Sequence, residues 1–125
     1  MSHEMPKGWV GVDLDGTLAT YDHWRGVEHI GEPIPEMLDR VKAWLARGVE
    51  VRVFTARIHG GRDGVSDHIR RWCAKHIGVE LPVTNVKDFD MIELWDDRAV
   101  SMETNSDRVL GGASRIDEKY PPVRS

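Results

Sequence analysis

Cysteine is almost absent from this chain of 125 residues: Cys73 is the single one, which excludes an internal disulfide and leaves stability to hydrophobic burial. Its place among the apolar residues of an expected helix marks it as a small core residue. Long apolar runs are missing too. No stretch approaches the roughly 20 residues that a membrane span needs. The opening Met-Ser-His-Glu-Met-Pro-Lys lacks the apolar region of a signal peptide. A cytoplasmic location is the expectation. An excess of positive charge is also lacking: the formal net charge is -4 with 30% of residues charged, so no global basic field invites nucleic acid. Internal repeats, low-complexity blocks and linkers are absent, and the length fits a single domain, 1–125, with a real core and no room for a second.

What is present concentrates in residues 8 to 18, Gly-Trp-Val-Gly-Val-Asp-Leu-Asp-Gly-Thr-Leu. The apolar run through Trp9, Val10 and Val12 reads as a buried strand that ends in two aspartates one residue apart, followed at once by Gly16. Two carboxylates at the end of a buried strand repel each other and lose hydration. A fold tolerates them where a cation or strong donors offset that cost. A divalent metal is the simplest such group. The plainer alternative is that Asp13 and Asp15 only cap a turn.

Residues 19 to 33 show no sustained period and read as a loop or small hairpin flap. Its Tyr21, His23, Trp24, Arg25 and His29 suit a ring bearing a phosphate, with packing of Trp24 under a long loop as the alternative. From Ile34 the pattern turns helical, with Pro35 at the first position, then Met37, Leu38, Val41, Trp44 and Leu45 on one face until Gly48. Residues 49 to 54 alternate as a strand that ends in Thr55-Ala56-Arg57. Strand, helix, strand in so short a span implies parallel neighbours joined by a right-handed crossover, so both strand ends share one edge. There Thr55 can donate to a phosphate oxygen. The loop from Arg57 through Gly60, Gly61 and Arg62 can meet an anion through its amides or arginines, although its spacing matches no phosphate-cradling fingerprint.

Val65 to Ile77 is a second helix stopped by Gly78, in which His68 and His76 read as surface or half-buried residues. Residues 81–86 give a short third strand followed by Lys87, and residues 91–95 a fourth that ends in Asp96-Asp97-Arg98. Val100 to Met102 suggests a brief fifth, and residues 103–125 read as a polar tail that wraps the surface or frays. The class is α/β: a Rossmann-like three-layer domain with a mostly parallel sheet, helices on both faces, no cap domain and a short flap after the first strand.

That order gathers four acids, Thr55 and a lysine on one edge, and their chemistry is coherent. Magnesium takes an octahedron of oxygens and keeps several waters, so two or three carboxylates plus a substrate phosphate hold it. A phosphoryl group needs its charge neutralised, which a metal, a lysine and a hydroxyl do. One carboxylate of the first pair can attack phosphorus while the other moves the proton of the leaving oxygen.

The ordered set Asp13-Leu14-Asp15-Gly16-Thr17-Leu18, Phe54-Thr55-Ala56-Arg57, Lys87 and Trp95-Asp96-Asp97-Arg98 resembles the haloacid dehalogenase superfamily of phosphohydrolases over residues 8 to about 102. The resemblance implies a HAD-like fold and a magnesium-dependent phosphatase that forms an aspartyl-phosphate. It makes Asp13 the nucleophile and a metal ligand, and Asp15 the general acid/base and a ligand through its backbone carbonyl. Asp96 binds magnesium directly, and Asp97 through water or as a further ligand. Thr55 and Lys87 hold the phosphate, with Ala56 and Arg57 beside them among the substrate-binding positions. The acid at Asp15 favours phosphate ester hydrolysis over carbon-halogen cleavage.

Many members of that superfamily place a helix between the lysine and the acidic pair, whereas Lys87 and Asp96 lie close in sequence here. Lys75 on the second helix is a possible substitute. The short interval is similar to that of the family's deoxyribonucleotidases and hints at a nucleotide. Neither interval that could hold a cap domain has room for one. An uncapped site suits a phosphorylated small molecule, a nucleotide or a larger phosphorylated target, with the flap or a second copy of the chain as cover and Trp24, His23 and Arg25 as substrate contacts. Two other classes compete: a phosphoacceptor signalling domain, against which Asp15 and the Asp96-Asp97 pair speak, and a catalytically idle module that binds a nucleotide or a partner.

Overall fold

The computed structural model describes residues 8–58, 64–99, 101–106 and 108–111. Four parallel strands form the main sheet: β1 (Trp9–Asp13), β2 (Glu50–Phe54), β3 (Val83–Thr84) and β4 (Met91–Trp95), in spatial order β3-β2-β1-β4. Helix α1 (Pro35–Ala46) connects β1 to β2 and helix α2 (Val65–His76) connects β2 to β3. The fold is the α/β, Rossmann-like class expected from the sequence, a parallel sheet packed with helices, although the two described helices share one face where the sequence reading expected helices on both. A separate antiparallel pair, β5 (Ser101–Met102) with β6 (Val109–Gly111), follows β4. Strand β6 lies in the stretch read as a polar tail that wraps the surface or frays. No described helix is long and apolar enough to cross a membrane.

Both crossovers step the same way across the sheet, and a right-handed turn in each puts α1 and α2 on one face. There Val10 and Val12 of β1 pair in register with Val51 and Val53 of β2. These valines join Met37 and Val41 of α1 and Ile69, Trp72 and Cys73 of α2 in a single buried cluster. Each fully buried aliphatic side chain there contributes about 1.5–3 kcal/mol, so this face supplies most of the stability. Pro35 begins α1 with its fixed φ, as the sequence reading expected.

Side chains alternate along a strand, so Trp9 and Gly11 face the other way. Trp9 is fully buried, with the Arg52 guanidinium 4.5 Å from its ring centre. Its ring lies across Gly11, where a Cβ would come within 3.1 Å of it. On this face the chain returns through residues 85–90 from the end of β3 to the start of β4. Asp88 on that segment accepts the Trp9 indole N–H at 2.8 Å and sits 3.6 Å from Arg52. An extended segment therefore covers what the two described helices leave open.

The strand order turns at β1: β2 and β3 lie to one side of it and β4 to the other. Ligands of open parallel sheets bind outside the carboxyl ends of the strands at such a switch point. Asp13 ends β1 and Asp96 directly follows β4, the two strands on either side of it.

Candidate active site

The turn after β1 is tightly built. The amides of Leu18 and Ala19 donate to the Leu14 carbonyl at 3.1 and 2.8 Å, and Gly16 donates to the Ala19 carbonyl at 2.8 Å. Gly16 takes φ +88, and a Cβ there would stand 2.7 Å from the Asp97 Oδ2. Glycine thus lets the carboxylate after β4 close on the turn after β1. Thr17 fastens the same junction, its hydroxyl oxygen accepting the Asp97 amide at 3.1 Å across a separation of 80 residues.

Asp13, Asp96 and Asp97 consequently converge, with one carboxylate oxygen of each within 4.8 Å of the others. The Asp13 carboxyl is pushed up from 3.8 to about 7, by burial first, then by its hydrogen bond with Asp97 and the charges of Asp96, Asp97 and Asp15. An all-oxygen set of hard donors that repel one another matches what a hard divalent cation accepts. The donor set fits a divalent ion.

Asp15 belongs to a different arrangement. Arg57, in the 3-10 turn Ala56–Ile58 after β2, donates from Nε to one Asp15 oxygen and from a terminal nitrogen to the other, both at 2.7 Å. This two-pronged pairing is the strong form of an arginine–carboxylate contact. The Arg57 side chain is only 5% exposed, donates at 3.3 Å to the Val27 carbonyl of the flap, and lies 5.0 Å from the Trp24 ring centre. The flap is closed at its neck by the bridge Ala19–Pro33 and by the Thr20 amide donating to the Glu32 carbonyl at 2.9 Å. Trp72 of α2 holds its base, donating to the Gly31 carbonyl at 3.1 Å.

These elements enclose a cleft of about 730 Å³ lined by Asp13, Asp15, Thr55, Arg57, Asp96 and Arg98, with Tyr21, Trp24, Val27, Phe54 and Ala56 completing the wall. Thr55 is buried and its oxygen accepts the Arg57 amide at 3.1 Å. Of the catalytic, metal and phosphate-binding residues nominated from the sequence, Asp13, Asp15, Thr55, Ala56, Arg57 and Asp96 thus meet there, and Asp97 adjoins them.

Lys87 does not join them. It is exposed on the returning segment, next to Asp88, which contacts the first residue of β1 at the far end of that strand from Asp13. The physical reason is the immediate return of the chain after β3. Lys75 is exposed on α2 and is also not among the lining residues. His23 and Arg25 turn to Asp22 instead of the cleft, at 3.2 and 2.5 Å, whereas Trp24 and Tyr21 do line it. Arg62 lies outside the described residues. Two features were not anticipated: the Arg57–Asp15 pairing, and Arg98 as a cleft residue, for which the Asp-Asp-Arg string was the available signal.

No family model matches the chain, and no curated protein matches it. Among solved structures, a conserved protein from Bacteroides thetaiotaomicron is similar, with a TM-score of 0.58 and 21% identity over 75% of this chain and 78% of that one. Identity at that level speaks to the fold alone, and it agrees with the Rossmann-like arrangement described above.

Proposed function

We propose that this chain is a magnesium-dependent phosphomonoester hydrolase of the haloacid dehalogenase type, acting through an aspartyl-phosphate on Asp13. The observation that carries the reading is the convergence of Asp13 with Asp96 and Asp97 at the switch point, beside a cleft that also holds a second aspartate and a buried threonine. Asp13, Asp96 and Asp97 are the residues that would hold the cation. Bound there, it would supply charge neutralisation for the phosphoryl oxygens and keep Asp13 ionised.

An Asp13 carboxylate oxygen attacks phosphorus, and the bond from phosphorus to the ester oxygen breaks. The leaving oxygen takes a proton from Asp15, giving the free alcohol and an acyl phosphate on Asp13. Water then attacks phosphorus, passing a proton to Asp15. Orthophosphate leaves and the Asp13 carboxylate is restored. Both Asp15 oxygens are engaged by Arg57, so the acid role requires that one of them be released and take a proton from solvent or from the arriving phosphate monoanion, which is also the natural competitor for the guanidinium. Thr55 borders the same cleft, whose lining cations among the described residues are Arg57 and Arg98.

Release of orthophosphate from p-nitrophenyl phosphate, with and without magnesium, tests the reading. Wild type is expected to turn over only with a divalent ion, and Asp13→Asn to lose on the order of 10⁴-fold or more with the fold intact. Near-wild-type rates in Asp13→Asn would remove the nucleophile assignment. Silence under every divalent ion would favour a binding module.

A further inference from the structure

The flap aromatics form a wall whose size and fixity exceed what a phosphoryl group needs. A cleft of about 730 Å³ lies in the range that holds drug-sized ligands, whereas phosphate alone fills a small fraction of it. Tyr21, Trp24 and Phe54 line this space, and Tyr21 and Trp24 keep 42% and 49% of their surface exposed. Trp24 is not a loose surface residue. The Arg57 guanidinium lies against its ring, and Arg57 is itself held by Asp15 and the Val27 carbonyl. Shielding that ion pair accounts for one ring face of Trp24 and leaves its exposed half, and Tyr21, unexplained.

We propose that Trp24, braced by Arg57, and its neighbour Tyr21 form a stacking platform for a flat aromatic ring carried by the substrate, so that the preferred ligand is a ring-bearing phosphomonoester. This rests on the phosphomonoester reading above. A platform held rigid before binding loses little entropy when a ring settles on it, and ring stacking is sequence- and substituent-tolerant because every aromatic ring has a π face. The brace also joins specificity to chemistry, since the guanidinium that supports Trp24 is the one that holds Asp15.

The test uses the full chain carrying Asp13→Asn with magnesium, and titration calorimetry against p-nitrophenyl phosphate, a nucleoside monophosphate and glycerol phosphate. The ring-bearing esters are expected to bind about ten-fold or more tightly than the aliphatic one. Trp24→Ala, its fold checked by circular dichroism, should erase that preference, and Trp24→Phe should keep most of it. A nucleoside ester favoured over the aryl ester identifies a nucleobase as the ring, and equal affinity for the two identifies any flat ring. Equal affinity for ring-bearing and aliphatic esters, no binding of any of them, or a preference that survives Trp24→Ala would overturn the proposal. Phosphate release by wild type is a separate readout. Ring preference without release keeps the platform and removes the hydrolase reading, whereas release without ring preference does the reverse.

Discussion

Asp88 and Asp13 sit by opposite ends of β1 and are driven in opposite directions. Asp88 is held below its ordinary value, chiefly by the Trp9 indole N–H, with the Asp90 amide and the Arg52 charge adding to it. Asp13 is pushed up to about 7 by burial and by acids alone. The same side chain is therefore compensated where the strand begins and left in electrostatic deficit where it ends. Structural carboxylates are paired. A cluster kept against repulsion in a cleft points to a cation or a reaction. Asp15, two residues from Asp13, is instead held by the two-pronged Arg57 contact.

Removing the compensation at Asp15 should have the largest effect on stability. Arg57→Met leaves a partly buried carboxylate without its two-pronged partner. Because the Asp15 side chain is 20% exposed, the loss is expected at about 1–3 kcal/mol, below the range for fully buried pairs, and is read from the urea midpoint at constant slope. An unchanged midpoint would show the pairing to be energetically idle.

The deficit at Asp13 should appear as a pH slope. The folded state holds a proton between 3.8 and about 7 that the unfolded chain has released, so its stabilising contribution is full below the lower value and lost as pH rises through the upper one. Metal-free protein should melt roughly 5 °C lower at slightly alkaline pH than at mildly acidic pH, about 1 kcal/mol after solvent screening. Asp13→Asn should flatten this slope in the thermal melts, and magnesium should reverse it. A slope that is the same in Asp13→Asn would move the effect to other groups.

The smallest change is expected at the compensated end. Trp9→Phe keeps the buried ring but removes the donor to Asp88. A small loss of stability in denaturant is expected with kcat/KM unaltered, because neither Trp9 nor Asp88 lines the cleft. A fall in kcat/KM would deny that the two ends act independently.

Period and strand-end chemistry carried much of this into view from the sequence. The valines of β1 and β2 and the apolar faces of α1 and α2 announced their elements. The Asp-x-Asp-Gly and Asp-Asp strings announced the converging acids. Placing Lys87 failed for a definite reason: a residue after a strand was assumed to stay at the carboxyl edge, but residues 85–90 leave it at once to reach the start of β4. The Arg57–Asp15 pairing spans 42 residues and depends on a single helical turn, which no local pattern encodes. Strand β6 was hidden by a polar, glycine-containing stretch whose partner is a two-residue strand.

Strand β4 lies at the border of the four-stranded sheet, and the two residues that follow it are two of the three converging acids. Whatever bridges those acids to Asp13 stitches a border strand onto an interior one. Occupancy of the cleft and retention of β4 thus become a single linked equilibrium, and slowed amide exchange along residues 91–95 would report a guest held at the far end.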